Sequence, residues 1–400
     1  MAIFVWKGKN RYGDVVAGER VAKSAVELTR ILRGEQITVT GVTRKRTEIK
    51  IPLLKKEKVG FKELAVYARQ LSVLIDADLP LIQSLGMLAK QTKNKYFKEV
   101  ITTVRKDVEA GATLNQAKKK FPKVFDNLFC NLVASGEQSG SLDIMLRRLA
   151  DYLEQVVKLR AQIKQAMTYP VAIFIFSVVV TIFMMWKIVP IFSNIFVELG
   201  AEMPLLTQMT MVASNFVQNY ILFIILGFVG FVFLFRYFKK TTTGRELIDR
   251  TMLKIPLFGA LFEKVALSRI TRTLGTLLSG GVPMMESLKI TSTTSGNVIL
   301  ESRIMESRTM VAEGTTLADA FKEKRFPLML HQMVGVGEAT GTLDAMLSKL
   351  ADFYDDEVGS SVGALLSILE PILLIFVGTL IGGIVISMYL PIFNLMSQFG

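Results

Sequence analysis

The sequence predicts a mainly α-helical membrane protein with two repeated cytoplasmic helical-bundle domains, three transmembrane helices and a small N-terminal α/β module. The first observation behind this prediction is composition. Hydrophobic residues make up 50% of the 400 residues, yet 21% are charged, as in ordinary soluble domains. The apolar residues must therefore be concentrated in blocks. The second observation is that one soluble segment, together with the apolar block after it, occurs twice in the chain.

Three blocks are apolar enough to form membrane helices. The first runs from Val171 to Trp186, the second is densely apolar from Ile221 to Phe235, and the third runs from Val362 to Leu390. A helix needs about 20 mostly apolar residues to cross a bilayer. The expected transmembrane helices are 169–190, 213–236 and 362–390, with a periplasmic segment at 191–212 and a periplasmic tail at 391–400.

The beginning of the second apolar helix carries a polar face. After Pro204, polar residues and one methionine recur at helical spacing, which predicts that the first turns of this helix lie in an interface. These residues are Gln208, Met211, Ser214, Asn215, Gln218 and Asn219.

The distribution of basic residues predicts the orientation of the helices. No Lys or Arg occurs between Ile188 and Phe235 or after Pro391, whereas basic residues lie at the other ends of the spans. Positively charged residues stay on the cytoplasmic side of a membrane. We therefore expect a cytoplasmic N-terminus and a periplasmic C-terminus. The basic residues concerned are Lys158, Arg160, Lys164, Arg236, Lys239 and Lys240.

The internal repeat is visible as residue identities at a nearly constant offset. Residues 69–85 match residues 272–288 at an offset of 203, and residues 136–151 match residues 337–352 at an offset of 201. The second offset continues into the apolar blocks. The two copies are parallel, so the middle apolar helix must return the chain to the cytoplasm. Many transporters have inverted halves instead, which counts against transport.

The soluble parts divide into three units. Residues 1–50 predict the small N-terminal α/β module, with two strands around a Tyr-Gly-Asp turn, a helix at Ser24–Arg33 and a β segment at Gln36–Val42. Helical spacing of apolar residues predicts helical domain 1 at 59–168 and helical domain 2 at 237–361. The apolar positions of domain 1 are Phe61, Leu64, Ala65, Ala68, Leu71, Leu74 and Ile75, then Leu142, Met145, Leu146, Leu149 and Leu153.

A duplicated Gly-Glu element joins two predicted helices in each repeat. The favoured interpretation is structural: glycine ends a helix or permits close approach, and Ser141 or Thr342 caps the next helix. The alternative is a surface that contacts a motor or another subunit. The candidate contact residues are Gly136, Glu137, Gly140, Gly337, Glu338 and Gly341.

Prolines occur at equivalent places in the two repeated spans. One interpretation is that they only end or kink the helices, and the other is that they act as hinges between the soluble domains and the membrane. Glu370 is the one carboxylate deep in a predicted span, and it is interpreted as either a snorkelled residue or a functional one. The candidate hinge residues are Pro170, Pro190, Glu370, Pro371 and Pro391.

Composition excludes several classes of function. The chain has one cysteine, Cys130, and one histidine, His331, too few for a structural zinc site or an internal disulfide. No phosphate-binding Gly-rich motif occurs, so we expect no cofactor and no enzymatic activity, although metal binding by carboxylates alone stays open. The basic runs at 44–46 and 118–120 lack interleaved aromatic residues and suit a surface facing anionic lipid or an acidic partner better than nucleic acid.

Residues at the entry of the first repeated span resemble the signature of a known family. They are similar to the inner-membrane platform proteins of type IV pilus and type II secretion machines, the PilC/GspF family, and the similarity covers essentially the whole chain. In the second copy Glu370 replaces Tyr169. The residues that carry the resemblance are Gln162, Ile163, Ala166, Met167, Tyr169, Pro170, Ile173, Ser177, Met184, Ile188, Val189 and Pro190.

The resemblance implies a platform in the bacterial inner membrane for type IV pilus biogenesis. It implies partners as well: cytoplasmic assembly and retraction ATPases, prepilin or pilin in the membrane, and pilus alignment proteins. The duplication within the chain gives two similar but unequal faces, so we also expect a homo-oligomer, with a dimer favoured and a trimer open. The alternatives are the pseudopilus platform of a type II secretion machine, a component of a membrane transporter, and a membrane enzyme with a carboxylate site.

Overall fold

The computed structural model describes residues 2–9, 12, 14–22, 24–44, 58–198, 203–324 and 326–399. The chain divides into two compact units, residues 1–57 and residues 58–400. The sequence also predicts a linker rich in Lys and Pro at 50–58, which lies almost entirely outside the described residues.

The described residues of the N-terminal unit form a three-stranded antiparallel sheet with one helix. Its elements are β1 (Ala2–Lys9), β2 (Val15–Ala22), α1 (Ala25–Gly34) and β3 (Thr38–Arg44), and the strand order is β2-β1-β3. Phe4 and Trp6 of β1 pack against Leu28 and Leu32 of α1 in a small core. Ser24 accepts a hydrogen bond from the Glu27 amide and so begins α1. The predicted hairpin, helix and third strand are confirmed, and of the Tyr-Gly-Asp turn only Tyr12 and Asp14 are described.

Domain 1 is a helical bundle. Its helices are α2 (Phe61–Asp76), α3 (Leu81–Gln91), α4 (Lys95–Glu109), α5 (Leu114–Lys119), α6 (Asn127–Ser139) and the first part of α7 (Leu142–Phe183). The expected apolar face of α2 is buried at Leu64, Ala68 and Leu71. Phe61 was expected in the same face but is exposed, and its ring centre lies 3.7 Å from the Arg160 guanidinium on α7.

Three helices among the described residues are long and apolar enough to cross a membrane. The first is continuous from Leu142 to Glu198: α7 passes into a π-helical segment at Met184–Ile188 and then into α8 (Val189–Glu198). The second is α9 (Leu205–Phe238). The third belongs to α16 (Leu343–Phe399), which follows domain 2. These helices extend beyond the expected span boundaries.

Domain 2 repeats the helix order of domain 1 after one additional helix. Its helices are α10 (Thr242–Lys254), α11 (Phe258–Ser279), α12 (Met284–Thr294), α13 (Val298–Ala312), α14 (Leu317–Glu323), α15 (Leu328–Thr340) and the first part of α16. Helices α11 to α16 are therefore the counterparts of α2 to α7. Left-handed glycines recur at equivalent places: Gly111 and Gly314 have φ of 97° and 96°.

An equivalent charged bridge ties α2 to α7 in domain 1 and α11 to α16 in domain 2. In domain 1 the Arg69 guanidinium contacts Asp151 and Glu154 of α7. In domain 2 Arg272 contacts Asp352 and Asp355 of α16. The residues of the second bridge are related to those of the first by the same offsets that the sequence shows. The two domains therefore share equivalent tertiary contacts as well as similar sequences.

Candidate functional sites in the helix junctions and proline-bearing spans

Gly140 and Gly341 end the helices before the two junctions. Both adopt the left-handed conformation with φ of 69°, directly after α6 and α15. A residue with a Cβ is strained in this conformation, whereas glycine adopts it freely. These two glycines therefore turn the chain from one helix into the next.

Gly136 and Gly337 have a different role, since each lies inside a helix. A Cβ at Gly136 would lie 3.0 Å from the Leu142 Cα, and one at Gly337 would lie 2.8 Å from the Leu343 Cα. The two helices at each junction therefore approach so closely that a larger residue would push them apart.

Glu137 and Glu338 bind the first amides of a neighbouring helix. The Glu137 carboxylate accepts hydrogen bonds from the Leu114 and Asn115 amides at 2.5 and 3.0 Å. The Glu338 carboxylate accepts from the Leu317 and Ala318 amides at 2.7 and 2.9 Å. Helix N-termini have unpaired amides and partial positive charge, so each carboxylate stabilises α5 or α14. This geometry favours the structural interpretation of the duplicated element.

Ser141 was expected to cap α7, and this expectation is wrong. Its hydroxyl lies 2.6 Å from the hydroxyl of Ser139, and the cap position makes no side-chain bond to the helix. The corresponding Thr342 and Thr340 hydroxyls lie 2.7 Å apart.

Pro190 follows the π-helical segment and has no amide hydrogen to donate. In the π pattern each amide bonds the carbonyl five residues earlier, as Val189 does with Met184. The corresponding partner of Pro190 would be the Met185 carbonyl. Ser214 of α9 is buried and donates its hydroxyl hydrogen to this carbonyl. The hydroxyl thus bonds the carbonyl that an amide at position 190 would bond if the π pattern continued by one residue.

Pro391 has an equivalent arrangement in the second repeat. In an α-helix its missing amide would bond Ser387, four residues earlier. Thr207 of α9 is buried and donates its hydroxyl hydrogen to the Ser387 carbonyl at 2.5 Å. Helix α9 therefore supplies one hydroxyl for each repeat, and Thr207 and Ser214 lie seven residues, about two turns, apart. The sequence indicated a polar face that includes Ser214 but missed Thr207.

Pro170, Glu370 and Pro371 lie within continuous helices. Pro170 is buried in α7, whereas Glu370 and Pro371 are exposed on α16. The structure therefore brings Pro190 and Pro391 together with α9 and leaves the other three candidates outside that contact.

Lys118 was expected on a charged surface and is instead fully buried. Its ammonium lies 5.3, 5.2 and 4.4 Å from the ring centres of Tyr67, Phe125 and Phe129. Its Nζ has no hydrogen-bond partner among the described residues. Burial lowers the Lys118 pKa to about 7. The equivalent residue of domain 2 is the buried Phe321, so Lys118 occupies a core position. The sequence did not indicate this, because a run of three lysines is typical of a charged surface.

Cys130 and His331 occupy equivalent positions of the two repeats. Cys130 lies on α6 and His331 on α15, at the same offset of 201 as the junctions. Burial raises the pKa of the Cys130 thiol to about 11. Among the described residues, no group of three or more His, Cys, Asp or Glu side chains is placed to hold a metal ion.

These features define a class: a duplicated helical-bundle protein in which each bundle continues into a long apolar helix. A family model for protein F of the type II secretion system (T2SS) matches residues 67–190 and 270–391, the two repeats. The chain belongs to this family, which confirms the resemblance seen in the sequence.

Three relatives match nearly the whole chain. A type IV pilus assembly protein PilC of Myxococcus xanthus is 40% identical over 403 residues, covering 98% of this chain and 95% of the relative. A protein of the same name from Thermus thermophilus is 39% identical, covering 99% and 98%. The type II secretion system protein F of Vibrio cholerae is 30% identical, covering all of both chains.

Proposed function

We propose that this protein is the inner-membrane platform of a type IV pilus machine, coupling a cytoplasmic assembly or retraction ATPase to the insertion or extraction of pilin. The observation that carries the proposal is the 40% and 39% identity to type IV pilus assembly proteins over almost the full chain. The identity to the Vibrio cholerae secretion protein is 30% over the same length.

The architecture supports a coupling role. Each soluble bundle is joined to an apolar helix by a continuous helix, α7 or α16, so movement of the bundle is passed directly to the apolar segment. We place both bundles in the cytoplasm and the ends of α8 and α16 in the periplasm, since the basic residues lie beside the bundles. The ATPases would then contact the bundles, and pilin and alignment proteins would contact the apolar helices and their periplasmic ends.

A deletion strain tests the proposal. Strains lacking this chain should lose surface pili, counted by electron microscopy, while export of a type II secretion substrate continues. The wild-type gene should restore piliation, and the purified full chain in detergent should retain the pilus ATPase on a column. A strain that keeps its pili and loses secretion would overturn the pilus role.

The secretion platform is the second candidate, because protein F relatives also match the full chain. The same deletion strain distinguishes the two roles, since surface pili and export of the secretion substrate are measured separately.

A further inference from the structure

The two domains of one chain pack against each other through different faces. Helix α7 meets α16 where Leu159 and Ile163 pack with Val358 and Leu365. Above this contact domain 1 uses the α6/α7 face, and domain 2 uses the α11/α12 face. The Ser135 hydroxyl donates to the Gly280 carbonyl at 2.6 Å, and the Tyr152 hydroxyl lies 3.3 Å from the Thr273 hydroxyl. The α6/α7 face comprises Leu132, Ser135, Met145 and Tyr152, and the α11/α12 face comprises Thr273, Leu277, Gly280, Val282 and Ile290.

Apolar burial completes this contact. Leu277, Val282 and Ile290 belong to the buried apolar cluster of domain 1, although all three lie in domain 2. The contact between the domains is therefore continuous with a hydrophobic core.

The duplication gives each domain a copy of both faces, and one copy in each domain is unused. The counterpart of the α11/α12 face on domain 1 is the α2/α3 face. The counterpart of the α6/α7 face on domain 2 is the α15/α16 face. By the repeat offsets, the α2/α3 face comprises Gln70, Leu74, Ala77, Leu79 and Met87, and the α15/α16 face comprises Met333, Val336, Met346 and Phe353.

The unused faces expose apolar side chains. Met87 is 42% exposed, whereas its counterpart Ile290 is 3% exposed. On the other unused face, Val336 is 52% and Phe353 is 39% exposed. Beside the α2/α3 face, Val73 is 57% exposed. Exposed apolar residues that cluster where the duplicate is buried indicate an unfilled interface.

The charges beside these faces are complementary. Arg148 and Ser279 line the same cleft between the domains within the chain. Their counterparts are Lys349 beside the α15/α16 face and Asp76 beside the α2/α3 face, where Asp76 also pairs with Arg147 of its own domain. A repeated contact would therefore bring opposite charges together.

We propose that the α15/α16 face of one copy docks on the α2/α3 face of a second copy of this chain, reproducing the contact between the two domains of a single chain. The interface is heterologous, because different faces meet. Each domain carries an apolar helix that must lie in the same bilayer as all the others, so the contacts turn about the membrane normal, and they form a ring when the rotation closes. A ring of two copies contains four domains, and a ring of three contains six.

Split-cysteine crosslinking in membranes tests the pairing. In a Cys130→Ala background, one tagged chain carries Ala77→Cys and a second, differently tagged chain carries Val336→Cys, the counterparts of Gly280 and Ser135. Mild oxidation of membranes containing both chains should give a disulfide-linked species with both tags. Each variant expressed alone should give no linked dimer. Self-linkage of either variant, or failure of the mixed pair to link, would overturn the head-to-tail arrangement.

A substitution series tests the energetic role of the faces. Phe353→Glu and Met87→Glu should each reduce the associated fraction of the full chain in detergent at least tenfold, measured by light scattering over a dilution series. Met305→Glu, at an exposed apolar position of α13, is the matched control and should leave association unchanged. A wild-type chain that stays monomeric, or association that survives both face substitutions, would contradict the proposal.

Discussion

At the scale of single residues, Glu137 and Glu338 show how one carboxylate can hold a helix junction together. Each binds two amides at the start of a short helix that follows a left-handed glycine. Helices of this length are unstable alone, so a side chain that binds their free amides contributes a larger share of the helix stability than it would in a long helix.

Glu137→Ala should lower the free energy of unfolding of domain 1 by about 2 kcal/mol, because two charge-assisted hydrogen bonds are lost. Hydrogen exchange of the full chain should show faster exchange at the Leu114 and Asn115 amides. Gln138→Ala, at the exposed neighbouring position, is the control. Unchanged exchange together with weaker ATPase binding would instead support the contact-surface interpretation of the junction.

Lys118→Met should stabilise domain 1 by at least about 1 kcal/mol near pH 7. Burial disfavours the charged amine, and each unit by which its pKa is lowered corresponds to about 1.4 kcal/mol. The folded pKa of about 7 lies below the ordinary 10.5, so the unfolded state binds more protons between these values and stability rises with pH there. The cost of burying the amine is therefore greatest below about pH 7. The Glu137 carboxylate acts in the opposite direction and raises this pKa.

The measurement for Lys118 is hydrogen exchange of α5 and α6 in the full chain at several pH values. The wild type should become more protected from pH 7 to pH 10 after correction for the intrinsic exchange rate, and Lys118→Met should lose this slope. Lys119→Met, at an exposed position, should behave as the wild type. An identical slope in Lys118→Met would show that another group causes it.

At the scale of elements, α9 is the long apolar helix that has no counterpart in the repeat, and it contacts both repeated apolar helices. Its hydroxyls satisfy one carbonyl in the first repeat and one in the second. In an apolar environment an unsatisfied backbone carbonyl is costly, so both prolines depend on α9.

Ser214→Ala and Thr207→Val should each destabilise the packing of the apolar helices by about 0.5–1.5 kcal/mol, as expected for hydrogen bonds between membrane helices. The readout is thermal unfolding in detergent. Thr210→Val is the control, because the Thr210 hydroxyl bonds within its own helix.

A double-mutant cycle makes this test specific. Pro190→Ala restores an amide hydrogen to the first repeat, so Ser214→Ala should cost less in that background, and the same should hold for Thr207→Val with Pro391→Ala. Fully additive effects would show that the hydroxyls do not replace the missing amides.

Pro170→Ala and Pro371→Ala test the hinge hypothesis for the other pair of prolines. If these positions flex while a bundle moves, both variants should insert normally and bind the ATPase but form fewer pili. If the single and double variants assemble and retract pili at wild-type rates, the hinge hypothesis is contradicted and the prolines only shape the helices.

At the scale of the whole molecule, the orientation in the membrane is the property on which the proposed function depends. In a chain without Cys130, single cysteines at Asn194 and Gln398 should react with an impermeant thiol reagent added outside cells. A cysteine at Lys240 should react only after the membrane is opened. Labelling of the Lys240 position from outside would contradict the proposed three-span orientation.

Sequence reasoning predicted the architecture well because repetition and helical spacing are properties of the chain itself. The offsets of 203 and 201 identified the paired domains, and the family model matches the same two segments. Contacts between distant segments left no such pattern. Thr207 is one hydroxyl among many until Ser387 is placed beside it, and Lys118 stands in a run of lysines typical of a surface.

Helix α16 is a single helix of 57 residues, from Leu343 at the domain 2 junction to Phe399. At 1.5 Å per residue it is about 85 Å long. A rotation of roughly 5° about its midpoint would move each end sideways by about 4 Å, about a third of the helix diameter of roughly 10 Å. A rotation of domain 2 too small to disturb its core would therefore still shift the far end of α16 sideways against a neighbouring helix.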